Sequence, residues 1–120
     1  MSRLDEIGPL ARQGEQEPYA PVRNAAIRLA IGAERSELEF CCPSAVGEDV
    51  AWFSWYPWRL VCETHAMASQ LPFAATEVGV YCDGCGRGPL AETIDRVPVR
   101  VTGWLVIVAA ICERCPRPPS

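Results

Sequence analysis

Seven cysteines and one histidine are the side chains of this chain best suited to chemistry, and their spacing is regular. Two CxxC pairs, Cys82 with Cys85 and Cys112 with Cys115, are separated by 26 residues. Each pair can turn as a tight knuckle that directs both sulfurs to one side, and two knuckles complete a tetrahedron around Zn²⁺. A redox-active CxxC needs only one pair, so the second pair favours metal binding. The sequence therefore predicts a four-cysteine zinc site towards the C-terminus.

The remaining soft ligands are Cys41, Cys42, Cys62 and His65, which form a second set of four. All eight candidate ligands then divide into two four-coordinate sites, so two zinc ions are expected. Adjacent residues of a strand point to opposite faces, and Cys41 and Cys42 need a turn, which Pro43 could supply, to bind one ion. The alternative is a buried cysteine packed as a small apolar side chain, with His65 outside any metal site.

Catalysis finds no support in the motifs of the chain. A zinc deaminase needs a glutamate two residues after its histidine, whereas Ala66 and Met67 follow His65. No glycine-rich phosphate loop of the Walker type is present. The metals are therefore expected to be structural, and neither catalytic residues nor a small-molecule substrate are predicted. Because four-cysteine knuckles also accept iron, a rubredoxin-like iron or redox protein is an alternative.

The elements that would position these ligands are short. Residues 1–21 combine charges with glycine and proline, which predicts a flexible N-terminal arm, although a short helix over 3–13 is compatible with it. Apolar residues alternate between 26 and 42, which predicts a β-hairpin. An amphipathic helix over 22–39 is the alternative, since alanine, arginine and glutamate favour helices.

Further along, the aromatic segment 50–62 predicts a pair of strands or one broken strand. Residues 63–71 predict a short helix that begins beside Cys62, and a linker follows over 72–76. Strands are predicted in the C-terminal third at 78–82, 97–101 and 104–112.

Together these elements predict a small metal-stabilised fold of the α+β or mainly β class. Cross-braced domains of the RING type interleave their two sites, but 16 residues separate His65 from Cys82, so sequential sites are expected. The predicted architecture is two zinc-ribbon or treble-clef-like halves in tandem, with short antiparallel strands and one short helix. The first metal-binding half is assigned to residues 22–76 and the four-cysteine ribbon to residues 77–120.

The motif YCDGCGRGPL, followed by Gly103-Trp104 and ICERCP, resembles the zinc ribbons of small actinobacterial and actinophage proteins over residues 80–116. It resembles rubredoxin-type knuckles more distantly. The upstream CPSA and LVCETHA segments are similar to small treble-clef proteins, but Leu38 stands where the leading cysteine of that pattern would be. The resemblance implies zinc binding, and most members of these families have no assigned role.

The charge and the aromatic residues of the chain indicate which class of partner it could bind. The chain carries 11 basic residues, all arginine, and 15 acidic ones, and a net charge of −4 disfavours a general nucleic-acid coat. Clustered tryptophans form either a core or exposed anchors for a partner. The candidate partner-binding residues are Trp52, Trp55, Trp58, Arg87 and Arg114. The predicted function is a binding module for a protein partner in a transcriptional or regulatory context, such as that of a phage and its host. The alternative is a nucleic-acid-binding ribbon that uses C-terminal arginines and exposed tryptophans.

The N-terminal segment is polar and lacks the apolar stretch of a secretory signal. The longest apolar run, 104–112, falls short of the roughly 20 residues that a membrane helix needs. A cytoplasmic protein without membrane contact is therefore expected, and reduced cytoplasmic thiols disfavour a disulfide framework.

Overall fold

A computed structural model of the chain describes residues 3–68, 80–88 and 95–117. The described helices are α1 (Arg3–Arg12), α2 (Ala20–Glu34) and α3 (Glu63–Ala68), with 3₁₀ turns at Gln13–Gln16 and Pro43–Gly47. The described strands are β1 (Glu39–Phe40), β2 (Val50–Phe53), β3 (Tyr56–Cys62), β4 (Asp95–Thr102) and β5 (Leu105–Ile111). No helix within these ranges is long and apolar enough to cross a membrane.

The five strands form one mixed sheet in the order β1-β3-β2-β5-β4. The pairs β2–β3 and β4–β5 are antiparallel, whereas β1 runs parallel to β3 and β2 parallel to β5. The pairing of β2 with β5 runs from Val50 opposite Leu105 to Phe53 opposite Val108. An α+β fold is therefore confirmed, but the prediction of one short helix is wrong, because α1 and α2 contain 10 and 15 residues and precede the short α3. The tandem arrangement is not confirmed, because strands from the two predicted halves share one sheet; the boundary between 76 and 77 and the linker at 72–76 lie outside the described residues.

Helices α1 and α2 cover one face of this sheet. Ile7 and Ala11 of α1 are fully buried, and the Arg12 guanidinium donates hydrogen bonds to both carboxylate oxygens of Glu34 in α2, at 2.8 and 2.7 Å. Residues 3–12 thus form a packed helix, which differs from the predicted flexible arm and agrees with the short helix compatible with 3–13. The physical reason is that an apolar pair at i, i+4 gives α1 a face to bury.

The predicted β-hairpin over 26–42 is wrong, because α2 continues to Glu34 and the helical alternative holds there. Burial along α2 follows the helical period: Ala26, Leu29 and Ala30 are buried, whereas Ile31 is exposed. Small alanines let the helix lie close to its neighbours, and they also have the highest helix propensity. The chain turns after α2 at Ser36, whose φ of 57° lies in the left-handed region.

The core lies on both faces of the sheet, as the alternation along β5 shows. Leu105, Ile107, Ala109 and Ile111 belong to the cluster that includes the helices, and Val108 and Ala110 belong to a second cluster with Phe53 and Trp55. A strand buried on both faces reads as a continuous apolar run, which is why 104–112 was recognisable from sequence. Strands at 50–62 and 97–101 and a helix starting at Glu63 are likewise confirmed. Residues 80–82 of the predicted strand at 78–82 are not in a strand.

Candidate metal centres

The two CxxC pairs meet in one cluster whose four sulfurs all lie within 4.8 Å of one another. The Sγ–Sγ distances are 3.4 Å from Cys82 to Cys115, 3.7 Å from Cys85 to Cys112 and 3.6 Å from Cys112 to Cys115. A tetrahedron with metal–sulfur bonds of about 2.3 Å has edges of about 3.8 Å. We call this cluster the four-cysteine centre, and its dimensions match those of a tetrahedral thiolate site.

Two local structures bring these sulfurs together. The first knuckle follows Val80 and closes with a hydrogen bond from the Gly86 N–H to the Cys82 carbonyl. The second knuckle begins where β5 ends, so Cys112 directly continues the central part of the sheet. The predicted strand that carries the second knuckle is therefore β5.

Backbone N–H groups surround the Cys82 sulfur. The N–H groups of Gly84 and Cys112 both donate to Cys82 Sγ, each at 3.3 Å. Burial raises the pKa of this thiol, but hydrogen bonds from the backbone of Cys85, Cys112 and Gly84 outweigh that effect and lower the pKa to about 6. The hydrogen bond with Cys82 in turn raises the pKa of the Cys115 thiol. The fold thus prepares one sulfur as a thiolate, the form that binds metal.

Two glycines serve the first knuckle in different ways. Gly86 adopts a φ of 77°, a conformation that side chains rarely permit. Gly84 instead provides space, because a Cβ there would lie 2.9 Å from Cys115 Sγ and 3.1 Å from Pro21 Cγ. The four-cysteine centre is thus in close contact with helix α2.

The other four ligands form a second cluster, again with all ligand atoms within 4.8 Å, which we call the Cys₃His centre. Cys41 Sγ lies 3.8 Å from Cys42 Sγ and 3.6 Å from Cys62 Sγ. His65 Nδ1 lies 3.1 Å from Cys62 Sγ and 3.5 Å from Cys41 Sγ. The eight residues predicted from the sequence are therefore brought together in the two sets that were predicted.

The parallel pairing of β1 with β3 explains how this second cluster forms. Cys41 follows β1 and Cys62 is the last residue of β3, so both lie at the carboxyl-terminal ends of neighbouring parallel strands. The Cys62 N–H donates to Cys41 Sγ at 3.3 Å. Cys42 is extended and the chain then enters the 3₁₀ turn that Pro43 begins. This turn is the one that an adjacent cysteine pair needs to face a single ion. His65 lies in the first turn of α3, three residues after Cys62.

The two adjacent cysteines differ in environment. Burial raises the pKa of the Cys41 thiol to about 11. A hydrogen bond with the Ser44 hydroxyl, 3.3 Å away, lowers the pKa of the Cys42 thiol to about 7. Cys42 is therefore the more readily ionised sulfur of the pair.

Sequence reasoning missed a polar cluster beneath the four-cysteine centre. Asp83, 6% exposed, accepts hydrogen bonds from the Ser54 hydroxyl at 2.6 Å, the Ala110 N–H at 2.8 Å and the Arg28 guanidinium at 2.9 Å. Burial raises the pKa of the Asp83 carboxyl, and these three partners act against that rise. The only sequence signal was the place of Asp83 inside a CxxC pair, since its partners are distant along the chain.

The predicted partner-binding residues fall into two groups. Trp52 and Trp55 are 1% and 4% exposed, so these two side chains belong to the core and do not serve as exposed anchors. Trp58 is 47% exposed, and Arg87 and Arg114 are also exposed. These last three residues are the ones whose side chains a partner could reach.

Comparisons of the chain with protein-family models, with curated proteins and with solved structures found no match. The functional conclusion therefore comes from the two centres themselves.

Proposed function

We propose that this chain is a non-enzymatic protein that binds two structural zinc ions and presents a rigid surface to a protein partner. The observation that carries the proposal is the division of all seven cysteines and the one histidine into two sets of four, each converging within 4.8 Å. Unrelated core cysteines have no reason to assemble in complete tetrahedral sets.

The donor atoms support zinc as the metal of both centres. Four thiolates accept either zinc or iron. Three thiolates with one imidazole are typical of structural zinc sites, and a complete protein ligand set leaves no position for substrate. Zinc therefore accounts for both centres with one metal.

Each centre joins segments that are distant in the chain, which supports a structural role. The Cys₃His centre links β1 to the β3–α3 junction, and the four-cysteine centre links the knuckle at 82–85 to the end of β5. Metal binding that closes such loops contributes to folding, and zinc-finger peptides gain roughly 10 to 16 kcal/mol in this way. A chain of 120 residues with two such links has rigid surfaces to present to a partner.

The exposed aromatic residues support a protein partner over a nucleic acid. Trp58 packs edge-on against Tyr56, with ring centroids 5.5 Å apart, and remains half exposed. Tryptophan and tyrosine are enriched at the energetic centres of protein interfaces. The net charge of −4 opposes phosphate binding. The setting we propose is a transcriptional or other regulatory complex in the cytoplasm, where thiols remain reduced.

Native mass spectrometry with elemental analysis tests the metal assignment. We expect two zinc ions per chain, and Cys42→Ser and Cys85→Ser should each remove one of them. These two variants are matched controls, because each changes one ligand of one centre. Iron in the four-cysteine centre, which absorbs visible light, would replace the zinc assignment there, and metal-free protein prepared under reducing, chelator-free conditions would overturn the proposal.

Fluorescence anisotropy with labelled single-stranded and duplex oligonucleotides tests the class of partner. We expect no binding at micromolar protein. Binding that weakens steeply as salt is raised, and that is lost in Arg87→Ala or Arg114→Ala, would favour nucleic-acid recognition instead.

A further inference from the structure

Helix α2 contacts the first knuckle of the four-cysteine centre, and the residue before the helix contacts the segment that follows the second knuckle. The Tyr19 hydroxyl, just before the helix, donates to the Pro116 carbonyl at 2.8 Å, beside the second knuckle. Asn24 Nδ2 donates to the Asp83 carbonyl at 2.7 Å, inside the first knuckle, and Arg28 donates to the Asp83 carboxylate. The N-terminal part of the helix, together with the residue before it, thus lies against both halves of the ligand set.

The contacts come from one stripe of the helix. Pro21, Asn24 and Arg28 follow the i, i+3, i+7 spacing that places side chains on a single face. Pro21 lies so close to the first knuckle that a Cβ on Gly84 would come within 3.1 Å of its Cγ. The helix face and the knuckle are therefore fitted to each other, with glycine at the point of closest approach.

Asp83 connects this face to the strand that carries the second knuckle. The Asp83 carboxylate accepts a hydrogen bond from the Ala110 N–H, and the Asp83 N–H donates one to the Ala110 carbonyl, both at 2.8 Å. Ala110 lies in β5 two residues before the ligand Cys112. The position of Asp83 therefore sets the distance between the two knuckles, and Arg28, which also donates to the Ser54 carbonyl at 3.0 Å, fixes Asp83 from the helix side.

We propose that metal binding at the four-cysteine centre and docking of α2 are thermodynamically coupled through Asp83, with Asn24 and Arg28 as positioning residues for the metal site. This inference rests on the proposed metal binding. Coupling between two events is reciprocal: if the docked helix raises metal affinity, bound metal stabilises the docked helix by the same factor. The Cys₃His centre is built from β1, β3 and α3, so loss of its metal provides an internal control for the effect of metal on α2.

Metal affinity of the four-cysteine centre tests one direction of the coupling. Co²⁺ binding is followed by its thiolate charge-transfer absorption in competition with a chelator, in a Cys42→Ser background that disables the other centre. We expect Arg28→Ala to weaken binding by about ten-fold and Asn24→Ala by several-fold, because each removes a hydrogen bond that holds Asp83. Glu34→Ala is the matched control, since it removes an ion pair of the same helix with α1 and should change affinity by less than about two-fold.

Hydrogen exchange tests the reverse direction in the zinc-loaded full chain. Cys85→Ser should speed amide exchange within residues 20–34, whereas Cys42→Ser should leave that exchange unchanged. If Asn24→Ala and Arg28→Ala leave the cobalt affinity of the Cys42→Ser chain unchanged, the coupling is overturned while metal binding remains intact. An equal loss of affinity in Glu34→Ala would also overturn it, because general helix stability would then explain the effect. A chain that binds no metal would overturn the coupling together with the proposed function.

Discussion

Replacing Gly84 by alanine tests whether the four-cysteine centre depends on its close contact with helix α2. The new Cβ would lie 2.9 Å from Cys115 Sγ and 3.1 Å from Pro21 Cγ. In the metal-free protein, Cys115 can rotate away from the methyl group. In the metal-bound protein the sulfur is fixed by its bond to the metal, so the overlap must be relieved by movement of the knuckle or of α2.

The cost therefore falls mainly on the metal-bound state. Adding one methyl group to a well-packed site costs about 1 to 3 kcal/mol. Such a cost, if confined to the bound state, weakens metal affinity by about 5- to 150-fold. The free energy of unfolding of the metal-free protein should change by less than that amount.

Substitutions at two other glycines distinguish the effect of steric overlap from the effect of backbone conformation. Gly86 has nothing within 4 Å of an added Cβ but a φ of 77°, so Gly86→Ala should cost about 1 to 2 kcal/mol in both metal-free and metal-bound states. Gly47 has free space and no positive φ, and Gly47→Ala should leave metal affinity unchanged. The assay is chelator competition for bound zinc, paired with urea denaturation of the metal-free protein. If Gly84→Ala binds zinc as tightly as Gly47→Ala does, the close approach has no energetic consequence and the reasoning fails.

Three further predictions concern packing and pH. Gly14→Ala should lower the free energy of unfolding by about 1 to 3 kcal/mol in urea denaturation, because the added Cβ would overlap the Cβ of Ala26 in α2. An unchanged denaturation midpoint would show that the turn before α2 shifts without cost. Leu29→Ala should cost about 2 to 5 kcal/mol in the same assay, since this side chain is fully buried between α2 and the sheet, and a smaller loss would mean that the site collapses around the cavity. Lowering the pH should release both metal ions, because metal binding displaces protons from thiols and acid reverses that exchange; a metal content by mass spectrometry that stays constant down to about pH 4 would contradict thiolate ligation.

The identity of the ligands could be predicted because a CxxC or CxxH unit is a local structure. Spacing alone brings Cys82 near Cys85 and Cys62 near His65, whatever the rest of the chain does. Strand β5 could be predicted for a similar reason, since a short continuous apolar run favours a strand buried on both faces.

Helix α2 shows where local patterns were insufficient. The apolar residues Ile27, Leu29 and Ile31 alternate as in a strand, yet the helix buries Leu29 and exposes Ile31. Both periods fit this short stretch, in which Arg28 and Ala30 occupy the intervening positions. The choice was made by what α2 packs against: α1 on one side and β5 on the other.

The sequence by itself determined which atoms could bind metal, because ligand chemistry and knuckle geometry belong to a few neighbouring residues. Only the tertiary structure decided how Cys41 and Cys42 both reach one centre, since that depends on the parallel pairing of β1 with β3. It also decided that Asp83 is a buried anchor, because its partners Arg28, Ser54 and Ala110 lie 27 to 55 residues away along the chain. Contacts between such distant residues leave no periodic signal in a single sequence, and they form only when the sheet and the helices have packed together.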